Sequence, residues 1–401
     1  MKLAAIICEY NPFHNGHRYQ IEKIKEELHP DGILAVMSGD FVQRGMPAFC
    51  DKYARTSFAL ENGIDMIFEL PVRYATSSAE FFASSAVFLL NSLNCIDYLV
   101  FGCESDDLKT LDRYADLFLE EPEEYRILLQ KHLKNGASFP SARNLAADEY
   151  LKTSDDSLLS KPNNILGIEY LKALKKCHSQ ITPFIIKRSD SGYHNTAITS
   201  PVTSASSIRT TVTTSGVDSL VTTSVPSGVS SYLKGQFQKT YPIDLPDASD
   251  FLFYQLIMDA HPESYADFHP ELWDRILKNI RTADNIDALI DATKTKNFTY
   301  SRISRYLIHL LLQIPAYSDI FVPYGKLLGF QKNSSHLLKY CKNHTSIPLI
   351  QKIGQYNHLL EDDARSLFEE DLRASHLYHR MVQRKYGTLL PEETKRPLLI
   401  V

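Results

Sequence analysis

Two histidines three positions apart, His14 and His17, stand between a short apolar run and an amphipathic segment. The apolar run, 3–8, predicts a β-strand, and the segment 16–28 predicts an α-helix. Where a strand of a parallel sheet ends and a helix begins, backbone N–H groups and the positive end of the helix together favour an anion. The position of the two histidines therefore predicts a phosphate site.

The chemistry that fits these residue types is transfer of a phosphoryl or nucleotidyl group. Such reactions need positioning and charge stabilisation more than a protein nucleophile. Two imidazoles can both donate hydrogen bonds to one triphosphate, and Gly16 lets a ligand approach the backbone closely. We expect His14 and His17 to be the catalytic pair. For the bare His-x-x-His spacing, a chance pair or a surface metal site is the alternative.

A second candidate for phosphate binding is the hydroxyl-rich segment 203–209, which follows a strand predicted at 182–187. Ser206 and Ser207 can offer hydroxyl and N–H groups at the start of a helix, and Arg209 offers a planar fork for β- and γ-phosphate oxygens. The alternative is a Ser/Thr-rich linker that contains one incidental arginine.

Three further positions lie at the ends of predicted elements. Gly102 closes a strand, where adenine or ribose could pack on bare backbone. Asn163 and Asn164 open a helix, and we expect one to cap it while the other faces the nucleotide. Arg188 ends the strand 182–187, with Gly-Tyr-His at 192–194 beyond it. Ordinary turns, caps and surface charges are the competing interpretation for each.

The loop 38–47, after the second predicted strand, carries two charged side chains near the same sheet edge. Asp40 is a candidate to bind Mg²⁺ or a substrate amine, and Arg44 is a candidate for a carboxylate or an RNA phosphate. A capped loop with solvated charges explains the same residues equally well.

The elements that must position these residues alternate between strand and helix, which predicts an α/β fold with a Rossmann-like parallel sheet. We expect this domain to span 1–210, with a helical insertion near 106–150. The stretch 200–231 is rich in Ser, Thr, Val and Gly, which predicts a domain boundary or mobile loop, and we expect 211–246 to be a linker. From 247 to 401 the pattern is helical and almost strandless, which indicates a separate α-helical domain.

Composition restricts the class of protein. The net charge of −5 gives no global attraction to nucleic acid or to an anionic membrane. Apolar runs stop far short of the roughly 20 residues that cross a bilayer, and the six cysteines form no CxxC pair. We expect a cytoplasmic protein with reduced thiols, no metal centre, no membrane contact and no evident protein partner.

Local charge nevertheless favours RNA. The stretch 292–318 contains no Asp or Glu, and its cations alternate with aromatic side chains. Cations beside aromatics suit RNA backbone contacts and base stacking. The predicted tRNA-binding cations are Lys294, Lys296, Arg302 and Arg305, together with Arg44. The alternative is that the aromatics are helix core and the cations a solvated face.

Longer strings around these residues resemble a known family. The run Cys8–His17 matches the HxGH signature of nucleotidyltransferases, and with Ser38–Pro47, Asp65–Pro71 and Lys161–Tyr170 it resembles the tRNA(Met) cytidine acetate ligases. The resemblance implies an ATP-dependent ligase that activates acetate as acetyladenylate. It further implies acetylation of N4 of the wobble cytidine in elongator tRNA(Met), with Mg²⁺ accompanying ATP.

The same resemblance implies an ATP site built from the first turn and from residues of later strands and helices. These residues are Ile7, Cys8, Glu9, Tyr10, Asn11, Pro12, Phe13, His14, Asn15, Gly16, His17, Arg18, Tyr19, Gln20, Gly102, Asn163, Arg188, Ser207 and Arg209. Within 203–209 the likeness is looser, because Ala205 interrupts the hydroxyl series.

Two other functions remain open at this point. A nucleotidyltransferase that makes a small cofactor would use the same motif, but such enzymes are usually shorter and leave the second half of the chain unexplained. A non-catalytic adaptor that binds ATP and RNA would use the pocket only to sense the nucleotide.

Overall fold

The computed structural model describes residues 1–153, 158–188 and 203–401. Within these ranges the main sheet has eight strands, in the order β10-β8-β5-β2-β1-β6-β7 with β9 beside β8, and β3 and β4 form a separate hairpin. The strands are β1 (Leu3–Cys8), β2 (Gly32–Ser38), β3 (Phe41–Val42), β4 (Met46–Pro47), β5 (Met66–Leu70), β6 (Tyr98–Cys103), β7 (Thr182–Lys187), β8 (Gly325–Phe330), β9 (Leu349–Ile350) and β10 (Leu399–Ile400).

Helices cover both faces of the sheet and continue beyond it. They are α1 (Asn15–Leu28), α2 (Lys52–Glu61), α3 (Val72–Ala75), α4 (Ala79–Ser92), α5 (Leu108–Glu120), α6 (Glu123–Lys134), α7 (Phe139–Leu151), α8 (Pro162–Lys176), α9 (Ala205–Ser215), α10 (Ser219–Thr223), α11 (Ser227–Gln236), α12 (Ser249–Met258), α13 (Pro270–Asn279), α14 (Ile286–Thr293), α15 (Tyr300–Leu312), α16 (Ser335–His344), α17 (Tyr356–Leu359) and α18 (Asp362–Tyr386). None of the helices in the described part of the chain is both long and apolar enough to cross a membrane.

The central strands are buried on both faces, which explains their continuous apolar runs. In β1, Leu3 and Ala5 contribute to one core with α4, α5 and α8. Ala4 and Ile6 point the other way and pack with α1, α2, α9 and α11. The alternation of successive side chains along a strand thus builds the two layers, and the predicted α/β fold with its mostly parallel sheet is confirmed.

The prediction that the second half is almost strandless is wrong. β8 pairs antiparallel with β5, and β9 and β10 pair parallel with β8, so three strands from this half extend the sheet. The sequence of β8, Gly-Lys-Leu-Leu-Gly-Phe, hides the strand because it combines two glycines with a lysine. Gly329 is required there, since a Cβ would lie 2.8 Å from the carbonyl oxygen of Leu399 in β10.

The described part of the predicted linker is also not a loop, because α9, α10 and α11 occupy most of 205–236. Ile208 and Val212 of α9, and Val229 and Leu233 of α11, lie four residues apart and are buried against the sheet. This periodicity outweighs the Ser/Thr-rich composition, which misled the prediction.

A buried charge cluster joins the second half of the chain to the sheet. It consists of Asp40, Lys52, Glu69, Lys326 and Glu393. Lys52 Nζ lies 2.9 Å from Glu69 and 2.6 Å from Glu393, and Lys326 Nζ lies 2.7 Å and 3.1 Å from the same two carboxylates. Burial alone would lower the pKa of Lys52, but Glu393 and Glu69 outweigh it and hold that pKa well above its ordinary range.

Candidate active site

A cavity of about 380 Å³ opens where β1, β6 and β7 end. The predicted nucleotide-site residues on its wall are Ile7, Cys8, Glu9, Tyr10, Asn11, His14, His17, Gln20, Gly102, Asn163, Arg188 and Arg209. Arg44 lines it as well. The remaining predicted residues lie off this wall: Pro12, Phe13, Asn15, Gly16, Arg18, Tyr19 and Ser207, of which Gly16 and Tyr19 line a small adjoining pocket. Residues from distant sequence positions thus line one cavity, and their role in binding a nucleotide stays a prediction.

His14 and His17 hold each other at the start of α1. His14 is the N-cap: its Nδ1 accepts the N–H of Gly16 at 3.1 Å, while His17 Nδ1 accepts the N–H of His14 at 3.2 Å. The two rings stack with centroids 3.7 Å apart. Because each Nδ1 is an acceptor, a neutral ring must carry its proton on Nε2. Each imidazole therefore keeps one N–H donor outside the cap.

The surroundings of the histidines favour these neutral rings. Burial, reinforced by the positive charges of Arg188 and Arg209, lowers the pKa of His14 to about 3. Burial and the neighbouring His14 likewise hold the pKa of His17 well below its ordinary value. At neutral pH both side chains are uncharged hydrogen-bond donors, so the arginines supply the fixed positive charge of the site.

The predicted backbone cradle at the start of α1 is wrong in its details. The N–H of His14 donates to His17, that of Gly16 donates to His14, and that of Asn15 donates to the carbonyl of Ser224 at 3.0 Å. These three N–H groups already donate to the histidine rings and to the carbonyl that follows α10, so they are not available to a ligand. The first turn contributes side chains rather than amides.

The two arginines reach the cavity from different elements. Arg209, on α9, donates from Nη1 to the carbonyl of Asn11 at 2.6 Å. Arg188 follows β7 and passes over Gly102, where a Cβ would lie 3.2 Å from the Arg188 Cγ. The sequence suggested that Gly102 leaves room for adenine, whereas the structure shows that the bare backbone leaves room for Arg188.

The start of α9 presents a second helix end to the cavity. Ser204 is its N-cap, and its Oγ accepts the N–H of Ser207 at 3.1 Å. Ser204, Ala205 and Ser206 line the cavity, whereas Ser207 is buried against Ser204. The expectation of a helix N-terminus in 203–209 is confirmed, and Ser206 rather than Ser207 faces the space.

The two asparagines have different positions from those expected. Helix α8 begins at Pro162, so neither residue is its N-cap. The carboxylate of Glu104, at the end of β6, accepts from the N–H of Asn164 at 3.0 Å and from Asn163 Nδ2 at 2.7 Å. Asn164 is buried and holds the backbone of 104–105, while Asn163 lies on the cavity wall. The prediction of a capping asparagine is wrong, because Glu104 supplies the cap.

The β3–β4 hairpin forms another wall of the cavity. Gln43, Arg44 and Met46 line it, and Gly45 adopts a positive φ of 72° against helix α15. A Cβ on Gly45 would lie 2.4 Å from the backbone nitrogen of Arg305. The hairpin therefore places exposed Arg44 next to the basic stretch on α15.

Asp40 lies away from the cavity. Its Oδ1 accepts the N–H of Lys52 at 2.9 Å, and its Oδ2 accepts the hydroxyl of Ser375 at 2.9 Å. It is only 2% exposed. The interpretation of Asp40 as a ligand for Mg²⁺ or a substrate amine is wrong, because the carboxylate belongs to the buried charge cluster.

Lys294 and Lys296 are exposed and Arg302 is partly exposed, as the RNA hypothesis requires, whereas only 15% of the Arg305 side chain is exposed. Lys294 pairs with Asp291 at 3.2 Å, Lys296 Nζ donates to the carbonyl of Gly136 at 2.7 Å, and Arg305 lies 3.3 Å from Asp267. Of the three aromatics at 298–306, Tyr300 is half-buried with its hydroxyl donating to Asp287, and the other two do not accompany the cations. Phe298 and Tyr306 are buried in the helical core, so they are not available for base stacking; Arg302 covers the Phe298 ring at 5.1 Å.

The segment 192–194 lies outside the described residues. Within the described ranges, no group of three or more His, Cys, Asp or Glu side chains is arranged to hold a metal ion. The six cysteines are free thiols.

A mostly parallel sheet whose first turn carries paired histidines beside two arginines is the arrangement of an α/β nucleotidyltransferase. A family model described as HIGH Nucleotidyl Transferase matches residues 1–390. A tRNA(Met) cytidine acetate ligase of Thermoanaerobacter sp. (strain X514) is 41% identical over 383 residues, covering 94% of this chain and 95% of the relative. One of Clostridium perfringens is 34% identical over 394 residues, covering 94% and 95%.

Solved structures agree with this classification. Thermotoga maritima TmcAL bound with alpha-thio ATP has a TM-score of 0.88 and 29% identity, covering all of both chains, and its apo form has a TM-score of 0.91. The chain therefore belongs to the HIGH nucleotidyltransferases and, among them, to the tRNA(Met) cytidine acetate ligase family.

Proposed function

We propose that this protein is an ATP-dependent ligase that activates acetate as acetyladenylate and acetylates N4 of the wobble cytidine of elongator tRNA(Met). The observation that carries the proposal is the convergence of His14, His17, Arg188 and Arg209 on one cavity. Relatives named for this activity, one of them solved with an ATP analogue, support the choice of substrates.

The cavity suits a nucleoside triphosphate. Arg188 and Arg209 provide charge-assisted hydrogen bonds to phosphate oxygens, and the histidine Nε2–H groups provide neutral ones. The amides of Ala205 and Ser206 begin a helix and have no hydrogen-bond acceptor among the described residues, so they favour an anion in the same place. Phe101, Ile165, Leu166 and Tyr170 give an apolar wall for the nucleoside.

ATP enters this scheme as its magnesium complex. Mg²⁺ usually keeps several waters and is held by substrate phosphates plus one or two carboxylates. The described wall of the cavity has one carboxylate and no cluster of metal ligands. This donor set fits an ion that arrives with the triphosphate and is held mainly by it.

The two chemical steps follow from the substrates. A carboxylate oxygen of acetate attacks the α-phosphorus of ATP, and pyrophosphate leaves. In the mixed anhydride that results, AMP is the leaving group. The N4 amine of cytidine then attacks the acetyl carbon, and AMP departs. Holding the amine beside the anhydride makes the attack effectively intramolecular and so lowers its barrier.

The RNA approaches from the hairpin side. Arg44 lies at that wall of the cavity, and the contact between Gly45 and α15 places Lys294, Lys296, Arg302 and Arg305 beyond it. In our proposal these cations contact tRNA phosphates, which an enzyme that makes a small cofactor does not need. The predicted cytoplasmic location stays a prediction.

The test supplies labelled acetate, ATP, Mg²⁺ and unmodified elongator tRNA(Met). Acid-stable N4-acetylcytidine is expected at the wobble position, and a tRNA with uridine at that position is the matched control. A non-catalytic adaptor gives no product. A small-cofactor nucleotidyltransferase turns over its own substrate but transfers no acetyl group, so either result would overturn the proposal.

A further inference from the structure

Glu9 carries the only carboxylate among the described residues that line the cavity. It directly follows β1, five residues before the histidine pair. The charged side chains with which it shares the wall, Arg44, Arg188 and Arg209, are all cations. Without a metal ion between them, a carboxylate that faced the phosphates would repel them, and the contacts of Glu9 lie instead on the hairpin side of the cavity.

The carboxylate of Glu9 is held firmly on the hairpin side. Its Oε1 accepts the N–H of Gln43 at 2.9 Å, and the Gln43 side chain is fixed in turn by donating to the carbonyl of Ser77 at 3.0 Å. The Glu9 carbonyl accepts from buried Arg55 at 2.7 Å. Residues locked by such supporting contacts are suited to a demanding geometry.

The other carboxylate oxygen, Oε2, has no hydrogen-bond or ion-pair partner in the described part of the chain. Glu9 Oε2 is thus a fixed hydrogen-bond acceptor on the wall by which the RNA is proposed to enter, and it is placed to receive a hydrogen bond from the RNA. In acetyl transfer that donor is the N4 amine. Its nitrogen lone pair is delocalised into the ring, so the amine is a poor nucleophile until a proton is taken from it.

We propose that Glu9 is the catalytic base of the acetyl-transfer step, an inference that rests on the proposed function. The N4 lone pair forms the C–N bond to the acetyl carbon, and Glu9 Oε2 accepts one N4 proton as positive charge develops on nitrogen. Collapse of the tetrahedral intermediate breaks the C–O bond, and AMP leaves as a phosphate without needing a proton. Glu9 then releases the proton to water.

The test separates the two half-reactions in the full-length Glu9→Gln variant. Glutamine keeps the size and an oxygen that accepts the Gln43 N–H, but it cannot take a proton. Single-turnover transfer to tRNA should fall about 10²- to 10⁴-fold, and this fall should be at least about tenfold larger than any fall in acetate-dependent exchange of pyrophosphate into ATP. Glu27→Gln, an exposed residue of α1, is the matched control and should leave both rates unchanged.

A second variant guards against misfolding. Glu9→Asp keeps a carboxylate at a shorter reach, and its transfer rate should lie between those of wild type and Glu9→Gln, with the same dependence on rising pH as wild type. Undiminished transfer in Glu9→Gln would overturn the inference. So would an equal fall in exchange and transfer, which would assign Glu9 to the nucleotide or its metal. If wild type itself makes no acetylcytidine, the proposed function fails instead.

Discussion

Replacing His14 with asparagine should remove a large part of the acid sensitivity of the fold. Asparagine is a good N-cap, and its Oδ1 can accept the Gly16 N–H that His14 Nδ1 accepts now. The cap of α1 therefore survives, and the titrating ring is lost. Comparing this variant with wild type therefore measures how much of the change in unfolding free energy with pH comes from titration of the His14 ring.

The size of the effect follows from the pKa of His14, which burial lowers from an ordinary 6.5 to about 3. At a pH of about 5 the ring of the unfolded chain binds a proton and the ring of the folded protein does not. The folded state is therefore fully stable, with respect to this group, above a pH of about 6.5 and loses stability as the pH falls from there toward about 3. Each unit is worth about 1.4 kcal/mol, so His14 alone should cost wild type about 2 kcal/mol between pH values of about 7 and 5.

Urea unfolding at these two pH values measures the effect. The loss of unfolding free energy on acidification should be about 2 kcal/mol smaller in His14→Asn than in wild type. Apart from His17, whose pKa the neighbouring His14 helps to lower, the other groups that titrate in this range are common to both proteins and cancel in the comparison. An identical loss in the two proteins would refute a neutral, buried His14. Adenylate formation should meanwhile fall in the variant at both pH values, because the Nε2–H donor is gone.

The other predictions concern nucleotide binding, the buried charges and RNA. Arg188→Met should raise the KM for ATP in pyrophosphate exchange by about 10- to 100-fold, because one charge-assisted hydrogen bond is worth about 1.5–3 kcal/mol; an unchanged KM would remove Arg188 from the phosphate site. Lys52→Met should lower the free energy of unfolding in urea by about 3–5 kcal/mol, because two buried glutamates lose one of their two cations, and a loss below about 1 kcal/mol would contradict the network. Lys296→Gln combined with Arg302→Gln should weaken tRNA binding and flatten its dependence on salt while leaving ATP use intact; unchanged affinity would exclude these cations.

The part of the site that could be predicted from sequence is the part encoded locally. The β1–α1 turn has a clear apolar strand before it and an amphipathic helix after it, so the position of His14 and His17 follows from periodicity alone. Arg188 and Arg209 stand where a predicted strand ends and where a helix begins, but only the family resemblance assigns them to the nucleotide site.

What could not be predicted depends on partners distant in sequence. Only the packed structure shows that the amide of Asn15 is used by Ser224, or that Gly102 makes room for Arg188. In the sequence, Asp40 and Glu9 are both acids that follow strands at the same edge of the sheet. In the structure, Asp40 is buried and accepts the N–H of Lys52, whereas Glu9 lines the cavity. Burial of this kind is decided by tertiary packing, which local patterns do not contain.

The insertion of β8 beside β5 has a consequence for synthesis of the chain. When the ribosome has made the first two hundred residues, β5 is still the edge of the sheet, with a row of unpaired backbone groups. The strand that covers this edge emerges more than a hundred residues later. Until β8 has been synthesised, the unpaired backbone of β5 can therefore pair with another chain. Fragments that end before β8 should aggregate rather than persist as soluble domains.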